Sequence, residues 1–188
     1  MSLLLEGAAV ATGAAGVYLS VRESPWTWPV SLVNAVLYAL VFREAKLYAD
    51  AGLQGVYAVL AVYGAYAWLG GVHRQRPLAV RHVRRREAWA LGGIGVLLAL
   101  GLSLVLRRTD ASLPWLDSAL TGGSLVAQWL VARKVVESWS VWLAVDVVYV
   151  GLFLHQALYP TAALYVLFLV LAVMGRRAWM KSAARAPA

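Results

Sequence analysis

The chain has 188 residues, of which 62% are hydrophobic and 14% are charged, and it has no cysteine. Water-soluble domains carry about 25% charged residues, so this composition excludes an ordinary soluble fold. The absence of cysteine excludes disulfides, thiolate metal sites and cysteine nucleophiles. A net charge of +8 would suggest nucleic-acid binding in a soluble protein, but in so apolar a chain it indicates basic cytoplasmic loops.

Seven apolar stretches are long enough to cross a membrane as helices. A span needs about 17 to 25 mostly apolar residues, because a helix rises about 1.5 Å per residue. A cleaved signal peptide begins with a positively charged region. No Lys or Arg precedes the first stretch, so this stretch is predicted to be retained. In chain order the predicted spans are 3–21, 26–42, 48–70, 88–106, 113–132, 138–154 and 158–175.

The second half of the chain repeats the first. After a shift of 111 residues, positions 28–68 and 139–179 are identical at 17 of 41 positions. The repeat unit has three helices, and three crossings leave the chain on the wrong side to begin a second copy in the same orientation. One extra span must therefore intervene. The sequence predicts an all-α integral membrane protein with seven transmembrane helices in a 3+1+3 arrangement, with two parallel three-helix repeats.

Three segments follow from this arrangement. Residues 1–72 form the first repeat, 73–110 a basic cytoplasmic loop with the linker helix, and 111–188 the second repeat with a basic C-terminal tail. Of the 17 Lys and Arg residues, 4 lie on the same side as the N-terminus and 13 on the other. The positive-inside rule then places the N-terminus outside and the C-terminus in the cytoplasm of a multi-pass cell-membrane protein.

Polar and aromatic residues recur at helical spacing on several spans and form stripes. In span six, Trp139, Trp142 and Asp146 lie on one face. Because polar side chains inside a span usually face the bundle interior or a water-filled cavity, a central cavity is expected between the repeats. Its predicted substrate-binding residues are Trp139, Trp142, Asp146, Gln128, Asn34, Tyr149, Tyr38, Ser31, Ser124 and Gln54.

These residue types suit a small molecule that is planar, hydroxylated and positively charged, because an indole face and a carboxylate both attract a cation. Other interpretations stay open. Asn34 and Gln128 could be interhelical hydrogen-bonding residues, and Gly64 and Gly175 could permit close helix packing. Asp146 could be protonated or paired structurally, since an unpaired charge at depth is costly. An interfacial belt is the favoured interpretation for Trp26, Trp68, Trp89, Trp115 and Trp179.

No enzyme is predicted. His73, His82 and His155 are placed in loops on opposite sides of the membrane, so they cannot form a metal cluster or a triad. GxSxG, HExxH and P-loop motifs are absent, and neither a cofactor nor direct use of ATP is expected. A carrier or facilitator remains, with a small membrane scaffold or a lipid-modifying membrane enzyme as the alternatives.

Two strings, LYADAGLQ in the first half and ARKVVESWSVW in the second, resemble the signature of the PnuC family of vitamin transporters. The resemblance covers about residues 20–70 and 115–180. It implies a seven-helix 3+1+3 fold akin to that of SWEET sugar transporters. It also implies uptake of nicotinamide riboside by facilitated diffusion, with alternating access and trapping by cytoplasmic phosphorylation.

By this resemblance, Trp139 and Trp142 would contact the nicotinamide ring, and Gln128, Asn34 and Asp146 would bind ribose or carboxamide. An acid at position 146 stands where an amide is expected, and relatives carry thiamine or riboflavin, so another vitamin such as thiamine is the alternative substrate. The expected partners are nicotinamide riboside, membrane lipids and, through a functional link, a cytoplasmic riboside kinase. No nucleic acid is expected, and a homo-oligomer is left open.

Overall fold

The computed structural model describes residues 3–44, 48–69, 78–107, 114–155 and 159–185. Within these ranges the chain forms seven α-helices, and an all-α fold with seven helices is confirmed. The helices are α1 (Leu3–Val21), α2 (Thr27–Glu44), α3 (Tyr48–Trp68), α4 (Arg85–Leu106), α5 (Pro114–Ala132), α6 (Ser138–His155) and α7 (Tyr159–Arg185).

The helices match the predicted spans closely, with three differences at their ends. α7 continues to Arg185, past the predicted end at residue 175, because the Ala, Arg and Lys residues beyond it are strong helix formers that need no apolar surroundings. α4 begins at Arg85, inside the predicted basic loop, and His155 ends α6 instead of lying in a loop. The predicted domain boundaries at 72/73 and 110/111, and His73, lie outside the described residues.

Several described helices are suited to hydrocarbon. By length and composition, Arg85–Leu106, Ser138–His155 and Ala162–Arg185 can each cross a membrane, and Gly7–Val21 and Thr27–Leu40 are apolar but shorter. α4 in particular exposes large apolar side chains along its length. Such a surface is a liability in water, whereas a helix satisfies its own backbone groups and is stable in lipid.

Six of the described helices form a closed ring. Contacts join α1 to α2, α2 to α3, α3 to α5, α5 to α6, α6 to α7, and α7 back to α1. The remaining helix, α4, packs against α5. The helices approach closely there, since a Cβ added at Gly122 would lie 2.9 Å from the carbonyl oxygen of Gly95. The ring leaves a central space bordered by helices of both repeats.

Equivalent tryptophans of the two repeats make equivalent contacts. The rings of Trp28 and Trp68 meet edge to face, with centroids 5.3 Å apart and an interplanar angle of 89°. Trp139 and Trp179 meet in the same way, at 5.3 Å and 88°. The repeat found in the sequence is therefore also a repeat of side-chain packing.

Glycines make room for two of these rings. A Cβ added at Gly64 would overlap the ring of Trp28, and one added at Gly175 would overlap the ring of Trp139. The two glycines are equivalent under the same 111-residue shift. The close packing predicted for both positions is confirmed.

The belt interpretation is wrong for two tryptophans. Trp68 and Trp179 are only 3% and 0% exposed and lie in the core. They turn inward because each indole N–H finds a backbone carbonyl of the opposite repeat, and a buried N–H needs such a partner. Trp26, Trp89 and Trp115 are exposed, as an interfacial position requires.

Candidate binding cavity

A cavity of about 580 Å³ lies inside the ring, and each of the six ring helices contributes to its wall. All ten residues predicted from the polar stripes line it. Thr27, which lies at helical spacing from Ser31 and Asn34 on α2, does not line the cavity. Its hydroxyl donates to the Gly16 carbonyl oxygen at 2.8 Å and lies 2.7 Å from the Ser20 hydroxyl, so Thr27 joins α2 to α1.

The cavity has two chemically different walls. The wall formed by α6 and α7, here called the aromatic wall, consists of Trp139, Trp142, Tyr149, Phe153, Tyr165 and Phe168. The opposite wall, formed by α1, α2, α3 and α5, carries amides and hydroxyls and is here called the polar wall. Its polar groups belong to Thr12, Ser20, Ser31, Asn34, Tyr38, Gln54, Tyr57, Ser124 and Gln128.

Tyr165 stands at the centre of the aromatic wall. Its ring centroid lies 4.8 Å from that of Tyr149, 5.1 Å from that of Phe153 and 5.6 Å from that of Phe168. Tyr149 and Phe153 are nearly parallel, with an interplanar angle of 9°. Rings packed in this way restrict one another and present flat apolar surfaces to a planar molecule.

Tyr165 and Phe168 were not among the predicted cavity residues, because the apolar α7 segment carries no polar stripe. The internal repeat held the signal that could have found them. Position 165 is the equivalent of Gln54, which was predicted to face the cavity, and position 168 is the equivalent of Tyr57. Tyr57 also lines the cavity.

Asn34 anchors the polar wall. Its side-chain amide donates to the carbonyl oxygen of Ala9 at 2.6 Å and to the Thr12 hydroxyl at 3.0 Å. The interhelical hydrogen bond suggested for Asn34 is thus confirmed, and the same residue also lines the cavity. The contribution of α1 to the cavity was not predicted, although Thr12, a polar residue within a run of small apolar residues, was a signal for it.

Asp146 is the charged residue among the described residues that line the cavity. It is only 4% exposed, and within the described ranges it has neither an ion pair nor a side-chain hydrogen bond. An unpaired carboxylate inside a membrane protein is costly, and such residues mark substrate or ion pathways. No structural partner among the described residues accounts for its presence.

Trp139 offers a second polar group that lacks a partner. Its indole Nε1 is buried and makes no hydrogen bond in the described part of the chain, although the residue lines the cavity. Its equivalent Trp28 is unpartnered in the same way but lies outside the cavity lining. Of this equivalent pair, only Trp139 belongs to the cavity lining, through its ring and not through an accessible N–H.

Apolar helices that enclose a polar cavity, with a buried carboxyl group that has no partner among the described residues, are typical of multi-pass membrane transporters of small molecules. The model of the nicotinamide mononucleotide transporter family matches residues 3–181. The chain belongs to this family, that of the PnuC transporters, and the resemblance stated from the sequence is confirmed.

Individual relatives agree with this assignment. The chain is 30% identical over 165 residues to the riboflavin/roseoflavin transporter RibM of Streptomyces davaonensis, covering 86% of this chain and 77% of that protein. It is 26% identical over 205 residues to the nicotinamide riboside transporter PnuC of Escherichia coli, covering 95% and 86%. Its fold matches a crystal structure of the vitamin B3 transporter PnuC with a TM-score of 0.77 and 23% identity, covering 97% and 83%.

Proposed function

We propose that this protein takes up nicotinamide riboside. The observation that carries the proposal is the buried Asp146 carboxylate, unpartnered among the described residues, in a cavity with an aromatic wall. Nicotinamide riboside joins a planar cationic ring to a ribose. A carboxylate and indole faces attract the cation, and the amides and hydroxyls of the polar wall suit the ribose. The ten cavity residues predicted from the sequence are thus proposed as its binding residues.

The relatives favour a second candidate substrate. By their names, PnuC of Escherichia coli transports nicotinamide riboside, and RibM, which has the higher identity to this chain, transports riboflavin and roseoflavin. Riboflavin also joins a planar ring to a hydroxylated chain. Its ring is neutral, however, so Asp146 would offer it a hydrogen-bond acceptor and no charge neutralisation.

The proposed mechanism is alternating access by facilitated diffusion. The two repeats rock about the substrate, and α4 connects them without entering the ring. The order of helix contacts and the equivalent tryptophan pairs support a 3+1+3 arrangement with parallel repeats. With the N-terminus outside and the C-terminus in the cytoplasm, phosphorylation by a cytoplasmic riboside kinase traps the product, because a phosphate group adds negative charge.

A thermal-shift panel on the purified protein tests the substrate. Nicotinamide riboside, thiamine, riboflavin and nicotinamide are compared, since a ligand at 100 times its Kd adds about 2.7 kcal/mol to stability. Nicotinamide riboside is expected to give the largest shift. A shift with riboflavin alone would select the second candidate, and no shift with any compound would favour a scaffold.

Sealed vesicles test the mechanism. Nicotinamide riboside is expected to equilibrate across vesicles that lack a kinase and to accumulate only when kinase and ATP are enclosed. Accumulation driven by a proton or sodium gradient in the absence of kinase would contradict facilitated diffusion.

A further inference from the structure

Glu23 and Lys134 hold equivalent positions in the two repeats and contact each other. The 111-residue shift aligns position 23 with position 134. Lys134 Nζ donates a hydrogen bond to Glu23 Oε2 at 3.2 Å. A residue can reach its own equivalent only near the axis that relates the two copies. The ion pair therefore lies where the α1–α2 and α5–α6 connections meet.

The backbone at both positions is unusual and nearly identical. Glu23 has φ 52° and Lys134 has φ 50°, values in the left-handed region that non-glycine residues seldom adopt. Each residue is the second one after the first helix of its repeat, where the chain turns toward the next helix. Two identical charged residues here would repel each other, whereas opposite charges attract.

A layer of tryptophans separates this ion pair from the cavity. The Lys134 ammonium lies 4.6 Å from the Trp68 ring centroid, and the rings of Trp68 and Trp179 are 5.9 Å apart. Trp68 Nε1 donates to the Val131 carbonyl oxygen at 3.2 Å, and Trp179 Nε1 donates to the Ser20 carbonyl oxygen at 3.0 Å. Val131 and Ser20 line the cavity. Moving outward from the cavity, their carbonyl groups come first, the indoles of Trp68 and Trp179 second, and the ion pair last.

This end of the cavity, here called the tryptophan end, is closed. The four packed tryptophans are at most 3% exposed, and Lys134 is 8% exposed. Both indole hydrogen bonds and the ion pair cross from one repeat to the other. A molecule can therefore leave through the tryptophan end only if the two repeats separate there.

We propose that Glu23 and Lys134 are the gate pair of the transport cycle, holding the tryptophan end closed until the repeats move apart. The attraction exists only in the closed state, because separation lets water solvate both groups, so the pair shifts the equilibrium toward closure. The inference rests on the proposed transport function for its purpose. The access that it controls can nevertheless be measured without any substrate.

The test uses the absence of cysteine from the chain. Ser124→Cys places one thiol in the cavity wall, and a membrane-impermeant thiol reagent is added to vesicles on the side of the tryptophan end. Lys181→Cys, at an exposed position two residues beyond Trp179, identifies that side. With the gate pair intact, labelling of the cavity cysteine is expected to be slow.

Lys134→Gln and Glu23→Gln, each combined with Ser124→Cys, are expected to raise the labelling rate at least tenfold. The double exchange of Glu23→Lys with Lys134→Glu is expected to restore slow labelling, because both positions have the same backbone conformation. Arg177→Gln is the matched control. It removes a positive charge from an exposed position near the same end and should leave labelling unchanged.

Unchanged labelling in Glu23→Gln would overturn the gate pair, as would equally fast labelling in the charge exchange and the single variants. If Lys134→Gln fails to fold, Glu23→Gln decides alone, since the partly exposed Glu23 carboxylate is replaced by a group of the same shape. If nicotinamide riboside gives no shift in the thermal-shift panel, the proposed substrate is wrong, but the labelling result still tests the gate pair.

Discussion

Asp146 breaks the symmetry of the cavity at the level of a single residue. Its equivalent in the first repeat is Ala35, and both residues line the cavity. Tyr38 and Tyr149, in contrast, are equivalent and identical. A cation inside the ring is therefore attracted toward α6 and not toward α2. This asymmetry is the reason for expecting one orientation of the bound substrate.

Asp146→Asn keeps the shape of the side chain and removes its charge. Affinity for nicotinamide riboside is expected to fall by more than tenfold, about 1.4 kcal/mol, as measured by calorimetry. Riboflavin, which is neutral, serves as the matched ligand, and any affinity for it should change by less than threefold. Equal affinity of both proteins for nicotinamide riboside would dismiss the charge role of Asp146.

At the scale of helices, α2 packs closely against α3 because Gly64 has no side chain. Gly64 admits the Trp28 ring, whereas a Cβ at Gly55, on the same helix, would meet nothing within 4 Å. The two glycines lie on the same helix but have different surroundings. Comparing the same substitution at both positions therefore separates the effect of packing from the effect of helix propensity.

Gly64→Ala is expected to destabilise the protein by about 1 to 3 kcal/mol, the usual cost of overpacking. For a chain of this length, this corresponds to a decrease in Tm of at least about 2 °C, measured by thermal denaturation in detergent. Gly55→Ala is the control and should lower Tm little or not at all. Equal effects of the two substitutions would show that the Trp28 contact does not limit the packing.

The segment before α4 is attached to the turn between α5 and α6. Arg81 N–H donates to the Lys134 carbonyl oxygen, and Val136 N–H donates to the Arg81 carbonyl oxygen, both at 3.0 Å. His82 Nδ1 lies 2.8 Å from Glu137 Oε1, and Val83 N–H donates to Glu137 Oε2 at 2.9 Å. The segment that precedes α4 is thus held beside Lys134.

These contacts predict a pH dependence. Burial alone would raise the pKa of Glu137, but the hydrogen bonds from His82 and from the Val83 N–H outweigh it and leave the pKa below its usual value of 4.5. A carboxyl whose pKa is lowered by folding stabilises the native state above its unfolded pKa, and this contribution is lost as the pH falls through the folded pKa.

Glu137→Gln is therefore expected to lower Tm at pH 6, by an amount equivalent to at most about 1 kcal/mol for such a partly exposed group. The difference between the two proteins should shrink as the pH falls below 4.5, because the wild-type carboxyl then also becomes neutral. Thermal denaturation between pH 6 and pH 3.5 measures both effects. A difference that stays constant over this range would contradict the proposed role of the Glu137 charge.

In the whole molecule, the ring closes at two junctions between the repeats, α1 with α7 and α3 with α5. Each junction has one indole hydrogen bond to the opposite repeat, from Trp179 to Ser20 and from Trp68 to Val131. The two junctions are equivalent under the repeat. They are therefore expected to contribute equally to the stability of the closed ring.

Trp68→Phe and Trp179→Phe are each expected to destabilise the protein by about 0.6 to 2 kcal/mol, the range for interhelical hydrogen bonds in membranes. The two losses should agree within about 0.5 kcal/mol, as measured by unfolding in detergent. Trp89→Phe, at an exposed position on α4, is the control and should have little effect. A large loss at only one junction would show that the two halves of the ring are not energetically equivalent.

The amino-acid sequence by itself determined the number and approximate positions of the helices, the repeat and the ten polar or aromatic residues that face the cavity. These properties can be read from short segments of the chain. A polar group in hydrocarbon is costly, so the spacing of polar residues along a helix shows which face avoids lipid. The same reasoning failed for Trp68 and Trp179, whose positions near predicted span ends did not reveal that their N–H groups bond the opposite repeat.

Only the tertiary structure decided which helices are neighbours, how Tyr165 and Thr12 enter the cavity wall, and that Glu23 meets Lys134. Each of these depends on residues far apart in the chain, and Glu23 and Lys134 are separated by a whole repeat. No local pattern encodes such a contact. It exists because ring closure places two equivalent turns on one axis, where opposite charges attract and identical charges would repel.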